Sequence, residues 1–290
     1  MPQFRDPRLE QEFPDWGGLD PQTAEVVFDD LTTYLDRPIE TIVHEYWQYR
    51  TGPDVIAQEQ VGRATDEATV SAYYATTPHY LYELSYWEAS RGKQAWFQVL
   101  WRAAQRYELQ RALDFGGGVG GLSLYLWSHG IQSDHLDVPG KTFDYAAWRF
   151  ARHNLKVSMH DATTPERWPH SAYDAVVAWD VLEHLFDLDA AIGRIARLLR
   201  TDGWLISKST FAHSDGHEEG IHLAKHACHQ DVRHFNQFLA SHAFRYLGQL
   251  KPNRLSRLLR TCGLRHAVAG IMVVPRVKHG GNFLVHTRPT

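Results

Sequence analysis

Apolar residues first recur at helical spacing after Thr23, where Ala24, Val27, Phe28, Leu31, Tyr34 and Leu35 share one face. Pro38, Pro53 and Pro78 punctuate the next stretch of chain, and the pattern predicts further helices over about 78–91 and 93–107. Residues 1–22 hold four prolines and a Trp16-Gly17-Gly18 turn, and read as an irregular arm. Residues 1–110 are thus expected to form a mostly α-helical cap. At Arg111 the period changes. Short apolar runs predict strands at 112–115, 131–138, 155–160, 174–179 and 203–209, and helical stretches at 119–129, 141–153 and 187–200 lie between them. Such alternation implies a mostly parallel sheet with helices on both faces, which binds ligands at the carboxyl ends of its strands. Residues 210–250 break the alternation and read as a His-rich insertion. A helix at 253–262 and strands at 265–274 and 282–287 close the chain. Gly280-Gly281 suits a hairpin turn that makes the last strand antiparallel.

The run Leu113-Asp114-Phe115-Gly116-Gly117-Gly118-Val119-Gly120-Gly121 succeeds a predicted strand and opens a predicted helix. Its glycines permit a tight turn and close approach of a ligand to the backbone, and the helix start offers free N–H groups. Gly116, Gly118 and Gly121 fit the dinucleotide pattern G-x-G-x-x-G, whereas Asp114, Gly116, Gly118 and Gly120 fit D-x-G-x-G-x-G. The loop alone leaves both readings open.

Four further features along the chain decide between them: Asp137 at the end of the second strand, Asp161 at the end of the third, the run Tyr173 to His184, and Leu198-Leu199-Arg200-Thr201-Asp202-Gly203-Trp204. In this order and spacing, residues 111–209 resemble the successive motifs of class I S-adenosylmethionine (SAM) methyltransferases. The resemblance implies an α/β fold: a Rossmann-like, seven-stranded, mostly parallel sheet with helices on both faces, here preceded by an N-terminal helical cap. A SAM-binding domain would span 111–290. It also implies roles. Gly116, Gly118 and Gly120 would pass under the methionine part of SAM, with Asp114 orienting its amino group. Asp137, with Val138 beside it, would bind ribose, and Asp161, with Ala162, would meet the adenine edge. Trp179 and Asp180 would face the methyl group. Gly117 stands where many relatives have cysteine or another small residue.

Methyl transfer to a hydroxyl or ammonium requires removal of a proton, and a histidine suits this near neutral pH. Seven of the 18 histidines lie between 213 and 242. His184, His213 and His222 are the candidates for the base. The Asp180, Glu183, His184 turn also resembles the metal-binding turn of small-RNA 2′-O-methyltransferases, so a divalent metal on those three residues is an alternative. His222 and His226 are four apart, but no glutamate stands after the first, which argues against zinc-protease chemistry. In the cap, Tyr73, Tyr74 and Tyr80 are the candidate substrate-pocket residues, set to fold back over the sheet edge.

Charge refines this picture. The 290 residues carry a formal net charge of −4, which by itself indicates neither a nucleic-acid nor a membrane partner. Residues 1–110 carry 18 acids and 9 bases, whereas no acid lies beyond Asp231 and ten Lys or Arg do. An acidic cap argues against an open basic groove for nucleic acid and favours a closed pocket for a small molecule, and the basic tail favours an anionic one. Two cysteines, no apolar leader and no long apolar run lead to the expectation of a cytoplasmic protein without a membrane span. The competing expectations are a metal-assisted RNA or nucleotide methyltransferase and an NAD-type oxidoreductase.

Overall fold

A computed structural model describes residues 18–51, 61, 64, 66–209, 211, 223–250 and 283–287. The chain enters through helix α1 (Pro21–Leu35), capped by the Asp20 carboxylate, which accepts from the Thr23 N–H at 2.9 Å. Helices α2 (Ile39–Thr51), α3 (Glu67–Thr76) and α4 (His79–Glu88) complete the cap. Helix α5 (Arg91–Arg106) starts at Ser90, whose hydroxyl accepts from the Lys93 N–H at 3.0 Å. Its face of Ala95, Trp96, Val99 and Leu100 packs on Ala112, Ala175, Val177 and Ile206 of the sheet. The packing therefore changes character near residue 90, before the change in hydrophobic period at 111.

The core then alternates strand and helix: β1 (Arg111–Phe115), α6 (Gly121–Ser128), β2 (Gln132–Asp137), α7 (Lys141–Arg152), β3 (Met159–Asp161), β4 (Tyr173–Trp179), α8 (Leu188–Leu198) and β5 (Leu199–Lys208). The chain ends with α9 (Val232–Ser241), β6 (Arg245–Leu250) and β7 (Phe283–Thr287). The seven strands run in the order β3-β2-β1-β4-β5-β7-β6. Strands β1 to β5 are parallel, and β7 lies antiparallel to both β5 and β6. Every residue of β4 is buried, as a central strand covered on both faces requires. One face packs on α8 and α9 through Ile192, Ile195, Phe235 and Leu239, and the other on α5 and α6.

Two departures from the sequence pattern have physical causes. The third strand is only three residues long, because its pairing with β2 is confined to the register His135–Met159 to Asp137–Asp161. Within the expected insertion, 232–250 forms regular structure. Asp231 caps α9 by accepting from the Arg233 and His234 N–H groups, Phe235 and Leu239 bury its apolar stripe, and β6 forms the sheet edge. The helix expected at 253–262 and the strand expected at 265–274 lie outside the described residues.

The cap is fastened by charge as well as by apolar contact. Val27, Phe28, Leu31, Ile42, Tyr46, Leu81 and Tyr86 form its own core, which extends to Val119 and Tyr145. Arg149 of α7, fully buried, reaches Asp30 of α1 and Glu88 of α4.

Candidate active site

A cavity of about 550 Å³ opens at the carboxyl ends of β1, β2 and β4, under the cap. This is where the sheet reverses its order between β1 and β4, the position at which doubly wound sheets bind ligands. The glycine loop forms the floor. Gly116, Gly118 and Gly120 have φ of 70°, 54° and 81°, the left-handed region that favours glycine. The Gly116 N–H donates to the Leu136 carbonyl at 2.8 Å. A Cβ at Gly118 would stand 2.6 Å from Leu84 of the cap, so the loop and cap are in close approach there. Gly120 does not line the cavity. A Cβ on it would meet Phe150 at 2.6 Å, so its role is to seat the loop on α7.

Asp137 lines the cavity and braces its floor. Its carboxylate accepts from the Gly118 N–H at 2.6 Å and the Val138 N–H at 2.7 Å. Burial pushes this carboxyl up to about 6, against those two hydrogen bonds. Asp114 is buried beside Ser123, which donates to it at 3.2 Å. Burial raises Asp114 to about 7, with the Lys93 ammonium holding it down. Val138 and Ala162 both line the cavity, as does Thr163. Asp161 does not: its carboxylate turns back to accept from the Thr163 N–H at 2.7 Å and hydroxyl at 2.6 Å.

At the end of β4, Trp179 and Asp180 enter the wall. Asp180 sits at φ 52°, a left-handed conformation uncommon for a residue with a side chain, and its Oδ1 accepts from Lys208 Nζ at 2.7 Å. His184 lines the cavity with its ring edge-on to Tyr74 at 6.0 Å. Tyr74 and Tyr80 line it too and stack at 5.3 Å. Tyr73 packs edge-on against both from outside the cavity wall. Asp180, Glu183 and His184 do not converge as a ligand set: Asp180 is engaged by Lys208, and Glu183 is buried under the turn. His213, His217 and His222 lie outside the described residues.

Sequence reasoning missed Lys93. Its Nζ lies 3.6 Å from the centre of the Trp87 ring and 3.5 Å from that of Trp179, facing the cavity. The enclosure pushes it down to about 7, by burial first, with Asp180 acting against the shift. A signal was present: Lys93 falls on the same helical face as Trp96, Phe97 and Leu100, a lone cation on an apolar stripe. Lys208, 5% exposed, was missed at the end of β5 for want of any local pattern.

The topology resolves the ambiguity of the glycine loop. A dinucleotide fold of the 3-2-1-4-5-6 type has no antiparallel strand inserted beside β5, whereas here β7 takes that place. A family model described as a methyltransferase domain matches residues 86–249, more than half of the chain. Among curated proteins, the chain is 29% identical over 96 residues to a ubiquinone biosynthesis O-methyltransferase of Rhodopseudomonas palustris (strain HaA2), covering 33% of this chain and 38% of that protein. It is 29% identical over 133 residues to the hybrid PKS-NRPS synthetase mpsA of Macrophomina phaseolina (strain MS6), covering 43% of this chain and 3% of that protein. Among solved structures it is similar to the 1,6-didemethyltoxoflavin-N1-methyltransferase of Burkholderia thailandensis at 16% identity, over 68% of this chain and 79% of that one, with a TM-score of 0.46. On the family match, the strand order and the glycine loop together, the chain belongs to the methyltransferase domain family and has the class I SAM-dependent methyltransferase fold.

Proposed function

We propose that this protein transfers a methyl group from SAM to an oxygen or nitrogen nucleophile of a small molecule. One observation carries the reading. The cavity holds an acid and an amine, Asp114 and Lys93, and burial drives both toward titration near 7. For each group burial outweighs the partners it has, and a zwitterion supplies a further counterion to both at once. An amino-acid end fits, with its ammonium toward Asp114 and its carboxylate toward Lys93. Asp137 would take the ribose hydroxyls, and Val138 and Ala162 the adenine. SAM, when bound, supplies an electrophilic methyl group whose sulfur leaves without needing a proton.

This chain then has three tasks. The glycine loop and Asp137 position the cofactor, since alignment is the largest part of such a displacement. The cap, with Tyr74, Tyr80 and Trp87, excludes water from the cavity. His184, beside Tyr74, accepts the proton of the attacking hydroxyl or ammonium. Arg194 in the wall suits an anionic substituent on the acceptor. The bacterial relatives named as O-methyltransferases support oxygen as an acceptor atom. Calorimetry of the purified chain with SAM and with NADH tests the reading: binding of SAM alone is expected, weakened at least tenfold in Lys93→Met and Asp114→Asn. No SAM binding, or binding undiminished in both variants, refutes it.

A further inference from the structure

Close to the 182–187 turn in the cavity wall, the chain gathers Cys228, His229 and His234, and their ligand atoms all lie within 4.8 Å of one another. Among the described residues this is the one such group of metal-ligating side chains. We infer that Cys228, His229 and His234 form a site for a borderline-soft divalent transition metal, zinc by preference, that clasps the short turn Ala224–Gln230 to helix α9. The inference is independent of the methyl-transfer reading.

Four observations support it. First, the donor set is one thiol and two imidazoles with no carboxylate, which selects zinc, cobalt or copper over magnesium or calcium. Second, Nδ1 of His229 is buried with no hydrogen-bond partner, a polar atom left waiting for one. Third, the His229 ring is already oriented, packed against Phe238 at 4.7 Å, Phe211 at 5.4 Å and Phe235 at 5.8 Å. Fourth, Cys228 and His234 are exposed, so an ion has a path in and both side chains are free to adjust. Ligands on a tetrahedral zinc stand roughly 3.5 Å apart, so the group has only about 1 Å to close at its widest. Three protein ligands leave the fourth position to water. The Cys228 thiol gives up its proton to solvent as the metal–sulfur bond forms.

The location gives the site a consequence. The Leu223 N–H donates to the Glu183 carbonyl at 3.2 Å, and Nε2 of His226 is 2.8 Å from the Leu185 carbonyl. Lys225 Nζ lies 3.2 Å from the centre of the Phe186 ring. The segment carrying the ligands therefore buttresses the turn that presents His184, Leu185 and Phe186 to the cavity. A metal there would stiffen that wall from behind.

The test uses the full chain, stripped with chelator and titrated with zinc and with cobalt. One equivalent per chain is expected, with a sulfur-to-cobalt charge-transfer band that disappears in Cys228→Ser. Affinity should fall at least tenfold in the Cys228→Ser/His234→Ala double variant. Zinc should also protect Cys228 of the unmodified chain from alkylation, read by peptide mapping, which needs no variant. No metal bound, equal affinity in the double variant, or alkylation of Cys228 unaffected by zinc would each overturn the site.

Discussion

Arg149 donates to both carboxylate oxygens of Glu88, from Nη1 at 2.7 Å and from Nη2 at 2.9 Å. The same guanidinium donates from Nε to Asp30 at 2.9 Å and from Nη1 to the Val119 carbonyl at 2.9 Å. One buried cation thus ties two cap helices to the glycine loop. Glu88 in turn lies so close to the loop that a Cβ at Gly121 would stand 2.4 Å from its carboxyl carbon. Arg149→Met leaves the buried Glu88 without its counterion, while Asp30 keeps Arg152 and His153, and should cost about 3–5 kcal/mol in denaturant unfolding. The Arg149→Met/Glu88→Met pair should recover part of that loss. A cost below about 1 kcal/mol would mean that apolar contacts alone hold the cap.

Lys93 should show the opposite sign for stability. Its surroundings disfavour the charged form, by burial above all. Methionine keeps the length of the side chain and its contact with the two indoles without the charge. Lys93→Met should therefore raise the melting temperature by roughly 2 °C for each kcal/mol gained, while weakening SAM. Differential scanning calorimetry and a SAM titration on one preparation check both halves.

Asp137 sets a pH dependence. Its carboxyl is raised to about 6 in the fold, above an ordinary value of about 3.9 in the unfolded chain. That raised value contributes stability to the fold that is fully present below about pH 4 and lost as the pH rises through 6. Capture of ribose hydroxyls needs the ionised form and runs the other way. SAM affinity should begin to fall below pH 7 as Asp114 protonates, and should fall more steeply below 6 where Asp137 protonates as well. In Asp137→Asn the extra steepness below 6 should be lost, leaving the Asp114 limb, and affinity should be lower throughout, as measured by calorimetry from pH 5 to 8.

At Gly118 conformation and space can be separated. Alanine there meets a φ of 54° and Leu84 of the cap at 2.6 Å. The backbone part should cost about 1–2 kcal/mol and persist in any background. The steric part should vanish in Leu84→Ala. The double-mutant cycle, read as unfolding free energy, should therefore give a favourable coupling between the two changes. Strict additivity would show that the cap does not press on the loop.

Much of the site was legible because its signals are local. The glycine loop needs positive φ at fixed offsets, and Asp137 ends a strand that the hydrophobic pattern delimits, so both could be placed from neighbours in the chain. The end of a strand does not reveal where a short acidic side chain turns, and Asp161 closes on Thr163 two residues away. Arg149 carried no signal at all: its partners Asp30 and Glu88 are 119 and 61 residues distant. Tyr73, Tyr74 and Tyr80 cluster in the structure, but only packing separates Tyr74 and Tyr80, in the cavity wall, from Tyr73 behind them.

The sequence by itself determined the class of fold and the cofactor loop, since both come from periodicity and from backbone conformations that few residues can adopt. Tertiary structure alone decided the electrostatics. An acid from β1 and an amine from α5 become a pair near neutrality only when the cap closes over the sheet and takes both from water. A thiol and two imidazoles become neighbours only when a short turn packs against α9. Desolvation and convergence are properties of the folded chain, and neither is written in any local run of residues.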